Sequence, residues 1–245
     1  MQGYIASIIP MSTDFWEGNV CSVINFAGCD FRCQYCYASQ MLSFKEEFLR
    51  DLREVREEIQ LNCSFIDGVV FSGGEPCLQM QTLLNLARFC KDLSLKVCVD
   101  TNGTKVNVLK AMIREGLLDY VILDIKSPFL VATFDKVTKS KTYFKDTRKV
   151  MDAIEDTLEF LRTNDIEYSI KTVIVPELFS DREQIMAIAE TIHDLECRWY
   201  LQGFRLDKGP IVNKNLTKGT NELTLYSIRD YCLKKFPRMQ IEVKV

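Results

Sequence analysis

The chain of 245 residues has one histidine, His193, and very little that would place it outside the interior of a cell. No apolar stretch approaches the roughly 18 residues of a membrane span. The opening Met1-Gln-Gly-Tyr-Ile-Ala-Ser-Ile-Ile9 lacks the basic region and cleavage site of a secretory signal. No Pro/Gly/Ser-rich linker and no low-complexity segment interrupts the chain, so nothing marks a domain boundary, and residues 1–245 read as a single domain. The net charge of −3 offers nucleic acid no general attraction. The expectation is a soluble cytoplasmic protein, with neither a membrane nor a nucleic acid as its partner.

What the chain does have is cysteine, ten in all, and three of them stand close together. Cys29, Cys33 and Cys36 lie in Gly28-Cys-Asp-Phe-Arg-Cys-Gln-Tyr-Cys36, and no fourth follows at short range. A structural zinc site wants four ligands, usually two CxxC pairs or Cys with His, and His193 is far off in sequence. A disulfide framework is not needed by a chain long enough to bury a full core. Three thiolates can instead hold three corners of a cubane iron-sulfur cluster that ordinarily takes four, leaving one iron open. Cys21, Cys63, Cys77, Cys90, Cys98, Cys197 and Cys232 are scattered, show no CxxC, and read as small buried hydrophobes.

Short β-rich runs alternate with amphipathic runs along most of the length. The expected strands are Val20 to Phe26, Gly68 to Phe71, Lys96 to Val99, Tyr120 to Ile125, Ser169 to Val175 and Trp199 to Gly203. The expected helices carry Met41 to Ile59, Met80 to Cys90, Lys105 to Glu115, Lys149 to Arg162, Arg182 to Asp194 and Glu222 to Lys235, with Gln240 to Val245 as a trailing strand. Ser43 with Glu46, and Ser180 with Glu183, have the spacing of capping boxes. Six βα units at this period predict an α/β fold, an incomplete (β/α)6 TIM-like barrel with parallel strands and outer helices.

Polar motifs follow strand after strand. Ser72-Gly73-Gly74-Glu75-Pro76 follows the second, Asp100-Thr-Asn102-Gly-Thr104 the third, and Asp124-Ile-Lys126 ends the fourth. Each has a plain reading, a turn for the Gly and Asn-Gly segments and mutual pairing for the Asp and Lys. Glycines also let a backbone come close to a ligand, and Glu75 is suited to a cationic ammonium. In a barrel these segments converge on the face where barrel enzymes work. The run Lys136 to Lys149, with six basic residues against one Asp, is either a solvated connection before a helix or a docking edge for an acidic partner.

The CxxxCxxC spacing with Tyr35 before the last cysteine resembles the signature of radical S-adenosylmethionine enzymes, and Gly73-Gly74-Glu75 resembles their Gly-Gly-Glu motif. Asp100-Thr-Asn-Gly, Asp124-Ile-Lys, Lys171-Thr-Val-Ile-Val-Pro176 and Leu201-Gln-Gly-Phe-Arg205 resemble motifs of the glycyl radical enzyme activating branch, above all the activating proteins of anaerobic ribonucleoside-triphosphate reductase. The chain departs from many of these activators in reading Cys36-Tyr-Ala38 where they have Cys-His-Asn.

The resemblance implies a 4Fe-4S cluster on Cys29, Cys33 and Cys36, with S-adenosyl-L-methionine chelated to the open iron. It implies that Glu75 holds the cofactor's amino group, that Tyr35 contacts its adenine end, and that Gly73, Gly74, Asp100, Asn102, Asp124, Lys126 and Lys171 face the rest. Asp100 and Asp124 would also line a site for a monovalent cation. A flavodoxin- or ferredoxin-type donor would supply the electron, and the target would be a glycine of a large glycyl radical enzyme, reached through the open side of the barrel. Two alternatives stand beside this reading. One is a radical enzyme acting on another substrate, such as a pyruvate formate-lyase-type partner, a small molecule or RNA. The other is a non-catalytic iron-sulfur electron carrier, against which the cofactor motifs argue.

Overall fold

A computed structural model describes residues 1–140, 146–207 and 209–245. Among the described residues nine strands form one sheet, and seven of them run parallel: β2 (Cys21–Phe26), β4 (Gly68–Gly73), β5 (Lys96–Thr101), β6 (Tyr120–Asp124), β7 (Glu167–Ile174), β8 (Arg198–Gly203) and β9 (Gln240–Lys244). At the β2 edge the sheet is extended by β1 (Gln2–Ser12), antiparallel to β2, and then by the short β3 (Leu49–Asp51), antiparallel to β1. Helices α1 (Leu52–Asn62), α2 (Met80–Asp92), α3 (Val106–Arg114), α4 (Val131–Thr138), α5 (Thr147–Thr163), α6 (Arg182–Ile192) and α7 (Glu222–Lys235) connect the strands. This is the expected incomplete barrel, with β9 a full parallel member of it. Among the described residues no helix is long and apolar enough to cross a membrane.

Side chains alternate along each strand, and the two faces of the sheet meet different surroundings. Outward residues such as Ile24, Phe26, Val69, Phe71, Val97, Val99, Val121 and Leu123 join the large core shared with the helices. Inward residues split by height. Val23, Val70, Cys98 and Ile122 form a small apolar layer near the N-terminal ends of the strands, sealed by Trp16 from the β1–β2 connection. One step further along each strand the inward face turns polar, with Asn25, Ser72, Asp100 and Asp124. The barrel is therefore plugged at one end and polar at the other.

Three expectations are corrected. The helix drawn over 41–59 begins only at Leu52, because Leu49–Asp51 is taken by pairing with the N-terminal strand, and Asp51 caps the helix by accepting from the Arg53 amide at 3.0 Å. The cap therefore is not Ser43 with Glu46. Likewise α6 is capped by Asp181, which accepts from the Glu183 amide at 3.2 Å, and not by Ser180. Strand β1 and helix α4 have no counterpart among the expected elements.

Candidate active site

The loop after β2 carries the three cysteines, and hydrogen bonds fix it from three sides. The Gly74 and Glu75 amides donate to the Phe26 and Gly28 carbonyls, both at 2.8 Å, joining the loop to the end of β4. This approach is what Gly74 permits: a Cβ there would stand 2.2 Å from the Gly28 carbonyl oxygen. At Gly73, where φ is +104°, a Cβ would stand 2.6 Å from the Phe26 backbone. The two glycines thus touch chain in this structure, bringing one strand end against the next.

On a second side the Arg32 and Gln34 amides donate to the Thr138 and Val137 carbonyls at the end of α4, at 2.8 and 3.1 Å. Gln34 is a hub: its Nε2 donates to the Lys136 carbonyl, and its Oε1 and main-chain carbonyl accept from Asn213. Asn213 belongs to the segment after β8, which also meets the loop where Tyr37 Oη accepts from the Arg205 amide at 2.6 Å. The start of the basic run is therefore packed on the cysteine loop through its backbone, while Lys141 and Lys145 of that run lie outside the described residues.

On the third side Asp30 accepts from Asn102 Nδ2 at 2.8 Å and from Thr104 Oγ1 at 2.9 Å. Asn102 Oδ1 takes the Thr104 amide at 3.0 Å, so this amide side chain ties the cysteine loop to the end of β5. Glu75 is wholly buried, and its oxygens accept from the Cys77 amide (3.0 Å), Thr101 Oγ1 (2.8 Å) and the Asn102 amide (2.7 Å). Burial outweighs these bonds and raises the carboxyl to about 7.

Deeper in the barrel the charged residues of three strands form one group. Asp124 and Lys171 are direct neighbours across β6 and β7, and Asp100 sits beside them on β5. Lys171 Nζ is 3.0 Å from both Asp100 oxygens and 3.4 Å from Asp124 Oδ2, which also receives Lys126 Nζ at 2.6 Å. Ser72 Oγ donates to Asp100 at 2.9 Å. Burial alone would raise Asp124, but the two ammoniums outweigh it and hold its carboxyl below the usual range. The Lys171 ammonium thus stands between the two aspartates to which the resemblance gave a monovalent cation.

The donor set suits an iron-sulfur cluster and a polar cofactor. Cys33 is buried, Cys29 and Cys36 half-buried, and all ten thiols of the chain are free. Burial pushes the Cys29 thiol up to about 12 and raises Cys33 and Cys36 as well, so stable thiolates here call for cationic partners such as iron. No three His, Cys, Asp or Glu among the described residues converge on a single ion. A cubane asks for no such convergence, because each of its irons carries its own thiolate. Two buried polar atoms beside the loop, Tyr35 Oη and Asp124 Oδ1, have no hydrogen-bond partner among the described residues. Buried polar atoms normally have one, and both sit in the charge field of Lys126 together with Cys33.

Residues 23–189 match the model of the Radical SAM superfamily. The chain belongs to that superfamily. Its membership makes it an enzyme and implies the 4Fe-4S cluster and S-adenosylmethionine. Over 196 residues it is 30% identical to a Methanocaldococcus jannaschii protein named "Putative glycyl-radical enzyme activating enzyme", covering 80% of this chain and 78% of that one. Over 181 residues it is 26% identical to the pyruvate formate-lyase-activating enzyme of Clostridium pasteurianum, covering 71% and 70%. The structure of QueE from Escherichia coli superposes with a TM-score of 0.58 at 14% identity, over 100% of this chain and 95% of that one, a likeness of fold alone.

Eleven of the twelve residues expected at the site lie at the C-terminal ends of the parallel strands or on the loops leaving them, and Lys171 lies within β7, opposite Asp124 at the end of β6. What the sequence reading missed is the tethering set, Asp30, Gln34, Thr101, Thr104 and Asn213. Four of them lie inside the quoted motifs without being singled out there and Asn213 lies in none, and only their partners across the fold give them a role.

Proposed function

We propose that this radical SAM enzyme is an activase, which reductively cleaves S-adenosyl-L-methionine and places a glycyl radical on a large partner enzyme. The observation that carries the reading is the three-thiol loop set against a buried polar layer with two unsatisfied atoms, in a chain 30% identical to a relative named for glycyl-radical enzyme activation. When bound, the cluster supplies the electron that breaks a carbon–sulfur bond of the cofactor homolytically. Cys29, Cys33 and Cys36 would hold the cluster by three thiolates, and the iron they leave free would be open to the cofactor's amino and carboxylate groups.

In this reading Glu75 offers its remaining lone pairs to the cofactor ammonium, and Tyr35 Oη and Asp124 Oδ1 complete their hydrogen bonds on its polar atoms. Gly73 and Gly74 keep the β4 end close, Asp100, Lys126 and Lys171 fix the charge around it, and Asn102 holds the loop in register. Phe204, edge-on to Tyr35 at 6.4 Å and stacked with Tyr37 at 5.7 Å, forms an apolar wall that excludes water from the reacting carbon. No monovalent cation enters, since Lys171 stands between the two aspartates. The reductant is a flavodoxin- or ferredoxin-type protein, and the finer reading of the partner is anaerobic ribonucleoside-triphosphate reductase.

Anaerobic reconstitution tests this. The chain should take up about four irons and four sulfides, and Ala at Cys29, Cys33 or Cys36 should abolish the cluster while Cys63→Ala and Cys232→Ala keep it. Reduced protein with S-adenosylmethionine should turn over appreciably only when a partner is added, leaving a stable glycyl radical visible by electron paramagnetic resonance. Anaerobic reductase and pyruvate formate-lyase offered side by side decide between those partners. If neither acquires a radical and a nucleoside, peptide or RNA is consumed instead, the activase reading fails while the radical chemistry stands.

A further inference from the structure

Two carboxylates that face one another beside a cofactor site form an oxygen-donor set of the kind that hard cations take. Asp100 and Asp124 are such a pair, yet a cation built from this chain already lies between them. Lys171 Nζ makes three contacts, at 3.0, 3.0 and 3.4 Å, which matches the three donors of an ammonium. Lys126 adds a second ammonium on Asp124 at 2.6 Å. Two carboxylates against two ammoniums sum to zero, so a further ion would enter a mostly buried group that is already neutral. It would also have to share its oxygens with the Lys171 ammonium at close range, where like charges repel most strongly.

We propose that the Lys171 ammonium serves as a built-in monovalent cation between Asp100 and Asp124, so that this chain organises its cofactor site without potassium or sodium. The register explains why the lysine reaches. Asp124 and Lys171 are opposed on adjacent parallel strands, and Asp100 lies diagonally across β6 on the same inward face. The stem of Lys171 needs only to lean across one strand to bridge both carboxylates. Lys171 is thus a positioning residue that acts through the two aspartates. The inference borrows from the activase reading only the presence of S-adenosylmethionine at the site, and it does not depend on the partner.

The test uses the cluster-loaded full-length chain in buffers of equal ionic strength made with potassium, sodium or choline chloride. S-adenosylmethionine affinity by calorimetry should agree across the three within about twofold, a difference too small to be a specific ion's. Equilibrium dialysis against rubidium, which needs no cofactor, should find no saturable site in the wild type. In Lys171→Met the emptied place should gain a saturable rubidium site. Cofactor affinity in that variant should fall by about tenfold or more in choline and recover with potassium or methylammonium. A saturable rubidium site in the wild type, or wild-type affinity that rises about tenfold with potassium, overturns the proposal. So does a folded Lys171→Met that binds the cofactor normally in choline. If that variant does not fold, the two wild-type measurements decide alone, and their failure leaves the activase reading untouched because neither involves a partner.

Discussion

Glu75 shows how much a single carboxyl can carry. It is wholly buried, takes two hydrogen bonds from the next strand end and one from the Cys77 amide, and is still raised to about 7 because burial dominates. A carboxyl raised in the folded state binds its proton more tightly there than in the unfolded chain. Its stabilising effect is full below the ordinary value of 4.5 and is lost as the pH rises toward about 7. The cluster-free protein should therefore lose stability across that window, by an amount of order 3 kcal/mol from this residue. Glu75→Gln should flatten the thermal stability curve between those pH values, whatever its absolute level, and an unchanged slope would show that Glu75 is not the group responsible. With cofactor present, Glu75→Ala should weaken binding by about ten- to hundredfold through loss of one charged hydrogen bond, while the iron content stays.

At the scale of elements, the cysteine loop is a part held from outside. Its own sequence supplies the thiols, but its position comes from the ends of β4 and β5, the last turn of α4 and the segment after β8. Gln34 joins two of these and is the cheapest point at which to loosen the loop. Gln34→Ala should cost about 0.5–1.5 kcal/mol by removing its hydrogen bonds to the Lys136 carbonyl and the Asn213 amide, and it should speed iron loss to a chelator, with cluster content after fresh reconstitution near normal. Equal chelation rates would mean that the Gln34 side chain does not hold the loop. These contacts also explain why α4 escaped the sequence reading: its last turn lies in the basic run, whose charges masked the apolar Phe134 and Val137 that bury its inner face.

For the whole molecule, the sheet does not close on itself, since β3 and β9 are its two ends. The plugged end is clasped by the β1–β2 connection, where Glu17 accepts from Tyr200 and pairs with Arg198 at 3.2 Å. In the activase reading a large partner would therefore approach from the polar end. Beside that end stand Lys136 and Lys139, both exposed, and Lys149, at the start of α5, is exposed as well. Arg148 of the same run is already paired along α5 with Asp152 and Glu155. If the run docks an acidic partner, Lys139→Glu combined with Lys149→Glu should reduce partner-stimulated turnover, more at low salt than at high salt because surface charges are screened beyond roughly 10 Å at 0.1 M. Cofactor affinity should not change, and equal turnover at all salt concentrations would leave the run as a connection only.

The sequence by itself determined the thiol triplet, the order of the parallel strands β2 and β4 to β9, and the polar motifs at their ends. These are local signals, carried by spacing and by periods of two or three to four residues within one segment. Only the tertiary structure decided where the N-terminal strand pairs, since the Gln2–Tyr4 backbone takes Leu49–Asp51 from what reads as one helix. It also decided the roles of Asn102, Gln34 and Lys171, which are set by partners 72, 179 and 71 residues away in Asp30, Asn213 and Asp100. A hydrogen bond or ion pair between distant segments leaves no periodic trace in either one, so it becomes visible only when the sheet register brings both ends to the same place.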